Sequence, residues 1–190
     1  GKNVAVIRVM TNLALRWGEA MSIWMANKNV NEIQKQNAMM LLDVFGKSLE
    51  AKNDRDVDNA TAICGSGPAY FYYLAEQLEK KAKKLGFSQE ESDLLVRWTL
   101  RSASKTVEYS SDSFNNLRKA VSSKGGITEA AIKEFENSKV GDVIDRAVDK
   151  ALLRGQRLMP RKRIDFSSHL DPAENLEFIL CYPFQIWLLF

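Results

Sequence analysis

A helical spacing of apolar residues runs through most of residues 56–158 and limits the possible folds more than any other feature. From Pro68 to Leu85 these residues recur every three or four positions, which places them on one stripe of a helix. Ser88 and Glu91 have the spacing of a capping box before the next helix. "SFNNLRKAV", "ITEAAIKEFENS" and the segment Val140–Leu152 predict three more helices. Their broad apolar faces predict oligomerisation through helices.

Residues 1–53 have a different pattern, in which strands and a helix alternate. "NVAVIRVM" and "AMSIWMAN" are strand candidates, the first of them rich in β-branched residues, and "KSLEA" predicts a short third strand. "VNEIQKQNAMMLLDVFG" predicts a helix that ends at Gly46. The fold class is therefore mainly α, preceded by the end of an α/β unit.

Composition excludes several classes of site and partner. The 190 residues are 45% hydrophobic and 27% charged, as in soluble globular proteins. A net charge of +3 gives no indication of a nucleic-acid partner. With Cys64, Cys181 and His169 as the whole cysteine and histidine content, we expect no metal site and no histidine-based triad. No disulfide framework is indicated, so we expect a cytoplasmic protein.

We also expect no membrane span. The most apolar segment, "FILCYPFQIWLLF", is too short for one and contains Pro183.

Two glycine-containing segments are candidates for binding. "CGSGPAYFYY" nearly matches the dinucleotide fingerprint, but Tyr70 stands where a small residue is needed and helices follow. Gly67 and Pro68 also suit an ordinary helix start. A structural turn and a backbone surface that approaches a ligand both remain open, and Cys64 fits a small buried cysteine better than a nucleophile.

"AVSSKGGITEAAIKEF" is the second candidate. Its serines offer hydroxyl groups, its two glycines expose backbone N–H groups, and Thr128 opens a predicted helix. The N–H groups at a helix N-terminus bind carboxylates and phosphates. An anion site and a capped helix connection are both compatible with this pattern.

The order of "VIRVM", "GEAMS", "TAICGSGPAYFYYLAEQL" and "LRKAVSSKGGITEAAIKEFE" resembles the C-terminal portion of the pyrroline-5-carboxylate reductase family, from about Val4 to Leu158. The resemblance implies reduction of the cyclic imine to proline by NADPH or NADH. It also implies an N-terminal Rossmann domain and a helical domain that forms a homodimer or larger oligomer. On this basis residues 1–53 are a remnant of the dinucleotide-binding domain, 54–158 the helical substrate and dimerisation domain, and 159–190 a divergent tail.

The resemblance also assigns site residues, none of them a certain catalytic group. The substrate loop would comprise Val121, Ser122, Ser123, Gly125, Gly126 and Thr128. The cofactor side would comprise Asn12, Gly65, Gly67 and Pro68. The amides of Gly125 and Gly126 and the Thr128 hydroxyl would hold the substrate carboxylate. Hydride transfer depends on position more than on acid–base groups, which suits this scarcity of titratable candidates.

The sequence departs from the family at several points. Lys124 replaces a proline in the substrate loop, and "TNLA" replaces a proline-asparagine-threonine-proline segment near Trp17. No glycine-rich phosphate turn precedes residue 12, so we expect the chain alone to be incomplete as an enzyme. The tail is either an extension that packs on the helices or a product of read-through, frameshift or a fragmentary gene. The alternative function is a non-catalytic helical dimerisation module that has lost cofactor binding.

Overall fold

A five-stranded sheet organises the first part of the chain. The structure is a computed structural model that describes residues 4–158, 177–182 and 185–189. The strands are β1 (Val6–Met10), β2 (Ala20–Ala26), β3 (Gly46–Glu50), β4 (Glu177–Tyr182) and β5 (Gln185–Leu189). Their order is β3-β2-β1-β5-β4, with β2 and β3 parallel and all other pairs antiparallel. The three strands predicted before residue 53 are confirmed.

Alternate residues of β1 face opposite sides of the sheet and build two cores. On one side the helix α1 (Glu32–Val44) covers the sheet. The buried residues of this core are Ile7, Val9, Trp24, Ala38, Leu42 and Leu188. On the other side lies the short helix α2 (Asp54–Ala60). The core beneath it consists of Met10, Ile23, Ala51 and Val57.

Gly46 begins β3 rather than capping α1. The helix ends at Val44, and Gly46 has a φ of +138°. A Cβ atom there would collide with the backbone of Ala20 on the neighbouring strand. Glycine is needed at this position by both the backbone conformation and the close approach of β2.

The described strands of the tail, β4 and β5, join the sheet. All five residues of β5 pair with β1, and Leu188 is 1% exposed in the core under α1. The expectation that a tail extension packs on the helices is therefore wrong for these strands, because β1 offers a full row of backbone partners. His169 and Pro183 lie outside the described residues, and the domain boundaries at residues 53 and 158 stay predictions.

The predicted helical region is confirmed. It contains α3 (Gly67–Lys84), α4 (Gln89–Tyr109), α5 (Phe114–Ala120), α6 (Ile127–Asn137) and α7 (Val140–Leu158). Ser88 and Glu91 form the predicted capping box of α4. None of the helices in the described ranges is long and apolar enough to cross a membrane.

The chain divides into two compact units, one comprising Gly1–Pro68 with Val148–Phe190 and the other Ala69–Ala147. Of residues 69–147, all of which the structure describes, only Ala82 and Ser92 are buried. Large side chains such as Phe71 and Trp98 are more than half exposed. The second unit therefore has no buried core of its own, and most of its apolar side chains are exposed.

Candidate functional site

Asn12 lies just after β1 and is only 7% exposed. Its Oδ1 accepts a hydrogen bond of 3.1 Å from the Ala14 amide and so caps a 3₁₀ helix over Leu13–Trp17. Its Nδ2 donates a bond of 3.0 Å to the carbonyl oxygen of Cys64. The asparagine thus joins the end of β1 to the segment that leads into α3.

That segment is a π-helical turn over Thr61–Gly65. The Ser66 amide donates to the Thr61 carbonyl at 2.9 Å, an i to i+5 bond. Such turns are rare and occur frequently at functional sites. A Cβ atom on Gly65 would lie 3.0 Å from Met10 Cε, so glycine lets this turn pack closely on the end of β1.

Gly67 and Pro68 are the first two residues of α3, as the helix-start interpretation expects. A Cβ atom on Gly67 would meet nothing within 4 Å. Gly67 itself is nevertheless buried, and the corresponding space at Gly65 is filled by Met10. Of the predicted cofactor residues, Asn12 and Gly65 hold the surrounding backbone in place.

The Cys64 thiol is half-buried beside these residues. Burial raises the pKa of the thiol above its ordinary value, and backbone hydrogen bonds from Cys64 and Gly65 oppose the shift only in part. A raised pKa keeps the thiol neutral and weakly nucleophilic. This agrees with the interpretation of Cys64 as a packing residue.

The predicted substrate loop connects α5 to α6. Val121 is the C-cap of α5, and the Ser122 hydroxyl donates to the Arg118 carbonyl at 2.8 Å. Gly125 adopts a left-handed φ of +73°, which glycine tolerates best. A Cβ atom on Gly126 would lie 2.9 Å from the Ser123 carbonyl oxygen, so both glycines are required by the turn. The loop thus forms a tight turn between the two helices.

The two glycine amides are already engaged within the loop. The Gly126 amide donates to the Ser123 carbonyl at 2.9 Å, and the Gly125 amide donates to Glu129 Oε2 at 2.6 Å. The expectation that the Gly126 amide is available for a carboxylate is therefore wrong, because the turn itself uses it. Gly126 is the N-cap of α6, and the helix begins at Ile127 rather than at Thr128.

Two other donors follow the same turn. The backbone N–H groups of Ile127 and Thr128 have no hydrogen-bond partner in the described part of the chain. They belong to the first turn of an eleven-residue helix, where the helix dipole favours an anion. Glu129 is an exposed carboxylate that already occupies the adjacent Gly125 amide. The loop thus combines available anion donors with an internal anion.

The sequence interpretation missed Glu129 and Arg8. An acidic residue four positions after the first glycine of the loop is a signal that could have identified Glu129. Arg8, an arginine in an otherwise apolar strand, also signals a buried ion pair. The structure brings Asn12 together with Gly65 in one unit and places the loop of residues 121–128 in the other.

Comparison with known protein families shows which family the chain belongs to. The family described as pyrroline-5-carboxylate reductase dimerisation matches residues 54–158, more than half of the sequence. The chain belongs to this family. The match covers α2 to α7, including the glycine loop between α5 and α6 and the segment from Gly65 to Pro68.

Individual relatives support the same assignment. The pyrroline-5-carboxylate reductase of Vibrio alginolyticus is 32% identical over 154 residues, which cover 80% of this chain and 57% of that protein. The structure of a pyrroline-5-carboxylate reductase from Coxiella burnetii matches with a TM-score of 0.80 at 29% identity, over 84% of this chain and 59% of that one. Plasmodium falciparum pyrroline carboxylate reductase with NADP bound matches with a TM-score of 0.72 at 32% identity, over 80% and 62%.

The chain thus spans a little over half the length of the curated relatives that it matches.

Proposed function

We propose that this chain supplies the helical substrate and dimerisation half of a pyrroline-5-carboxylate reductase, which reduces 1-pyrroline-5-carboxylate to proline with NADPH or NADH. One observation carries the proposal. The loop in the matched family region holds a carboxylate oxygen 2.6 Å from the Gly125 amide and has two unpartnered amides beside it among the described residues. A cytoplasmic location, with neither nucleic acid nor a membrane as partner, is part of the same proposal.

The substrate carboxylate would bind at the first turn of α6. The N–H groups of Ile127 and Thr128 would donate to it, together with the Thr128 hydroxyl, and the helix dipole would add attraction. The Gly125 amide would join them when Glu129 moves away. This set replaces the Gly125–Gly126 pair expected from the sequence, since the turn uses the Gly126 amide.

A homodimer through the helical unit is the second element of the proposal. Phe71 is 61%, Leu94 57% and Trp98 54% exposed. A large exposed apolar surface on a soluble protein often marks a protein–protein interface. A second copy would bury these side chains and give the helices the core that residues 69–147 lack.

The nicotinamide cofactor would supply the hydride. The cofactor would approach the start of α3, where Gly67 carries no side chain and the ring of Pro68 fixes the backbone in a helical conformation. Asn12 would act by joining this segment to β1. The proposal covers either NADPH or NADH.

The first test is a titration of the purified chain with proline, followed by the amide signals of Gly125, Ile127 and Thr128. Saturable shifts confined to the loop support the substrate site. The variant Thr128→Val should bind proline more weakly because it loses a hydroxyl donor, whereas Thr99→Val on α4 serves as the matched control. A dimer that shows no shifts at high proline concentration would instead favour the non-catalytic dimerisation module.

A further inference from the structure

Arg8 is a buried cation in the middle of β1. Its side chain is 7% exposed, and it projects from the face of the sheet that α2 covers. Its Nη1 lies 2.7 Å from Asp54 Oδ1 and its Nη2 lies 2.8 Å from Asp58 Oδ1. One guanidinium group therefore binds both turns of α2.

The two carboxylates differ in exposure. The side chain of Asp54 is 69% exposed, while that of Asp58 is 26% exposed. The Asp58 contact is thus the one better shielded from water, and a partly buried carboxylate without a cation is unfavourable. Lysine could not replace the arginine, since its single ammonium group cannot bind two carboxylates with two separate nitrogens.

The contact acts on more than α2 itself. Asp58 lies three residues before Thr61, where the π-helical turn begins, and that turn ends at Gly65. The Cys64 carbonyl in this turn accepts the hydrogen bond from Asn12 Nδ2. The segment from residue 54 to residue 65 is therefore attached to β1 at one end by Arg8 and at the other by Asn12.

We propose that Arg8 is a positioning residue whose guanidinium group, acting through α2, sets where the π-helical turn lies relative to Asn12. The turn leads directly into Gly67, so Arg8 also places the start of α3. That the position of the α3 start matters for cofactor binding rests on the proposed function. The effect of Arg8 on the turn that Asn12 contacts does not rest on it.

Two variants test the link, Arg8→Lys and Asp58→Asn. In both we expect shifted Asn12 side-chain amide signals and about tenfold faster hydrogen exchange at the Ser66 amide, which forms the i to i+5 bond of the turn. Leu42→Ala, on the opposite face of the sheet, is the control that lowers stability without touching α2. It should leave both signals of the folded state unchanged.

The result that overturns the proposal is a pair of variants that lose stability as the control does but keep the Asn12 and Ser66 signals of the wild type. Wild-type behaviour of Arg8→Lys alone would refute the requirement for two nitrogens. A parallel titration of the wild type with NADPH, followed at the Gly67 amide, tests the proposed cofactor contact separately from the positioning role of Arg8. No shift there would count against the proposed cofactor contact and leave the Arg8 measurement to decide the positioning role.

Discussion

Removal of the Glu129 carboxylate should strengthen the binding of proline to the loop between α5 and α6. Glu129 Oε2 lies 2.6 Å from the Gly125 amide, where a ligand carboxylate would also bind. The internal carboxylate therefore competes with the ligand for a donor. It also places a negative charge beside the unpartnered amides of Ile127 and Thr128. The variant Glu129→Ala removes both effects.

The size of the effect follows from the strength of the internal contact. Glu129 is exposed, so its bond at the start of α6 is worth about 0.5–1 kcal/mol. A contact of that strength is formed about 70–85% of the time, and its removal raises the apparent affinity about three- to sixfold. The loss of the negative charge also strengthens binding, so the three- to sixfold rise in affinity is a lower bound.

The assay is a proline titration at constant ionic strength, followed by the amide signals of Ile127 and Thr128. Glu134→Ala is the matched control, because it removes the same charge from the same helix and breaks a bond of 2.8 Å to the Ser138 hydroxyl instead. The dissociation constant of Glu129→Ala should be about three- to sixfold below that of the control. Equal or weaker binding by Glu129→Ala would refute the competition.

Three further measurements address the fold and the interface. Gly46→Ala should lower the free energy of unfolding by more than about 2 kcal/mol, measured with urea, because the new Cβ would collide with Ala20 at a positive φ. Trp98→Glu should weaken the dimer at least about tenfold in sedimentation, since a buried tryptophan is often an interface hot spot, whereas Thr99→Glu should not. Cys64 should react with iodoacetamide more slowly than a free cysteine at pH 8, because burial raises the pKa of its thiol.

The first two expectations each have a contrary result. Stability of Gly46→Ala close to that of the wild type would mean that β2 and β3 can separate at little cost. An unchanged dimer in Trp98→Glu would place the interface elsewhere.

The raised pKa of Cys64 also predicts how stability depends on pH. The free energy of unfolding should fall as the pH rises through the pKa of the folded thiol. No fall in alkaline solution would contradict the effect of burial.

Local sequence patterns determined the elements of this protein. The apolar stripe of α3, the capping box of Ser88 and Glu91, and the β-branched run of β1 each depend on residues a few positions apart. The motifs of the glycine loop and of the α3 start likewise identified the family from residues 54–158. Spacing of this kind acts through backbone geometry within one or two turns, so it can be interpreted without knowing what packs against it.

Tertiary structure decided the contacts between distant residues. The pairing of β5 with β1 joins residues about 180 positions apart, and Arg8 reaches Asp58 across 50 positions. The engagement of the Gly125 amide by Glu129 is closer in sequence, but it depends on the left-handed turn that brings the carboxylate back. These contacts form only when the intervening chain has folded, because neither partner carries a local pattern that specifies the other.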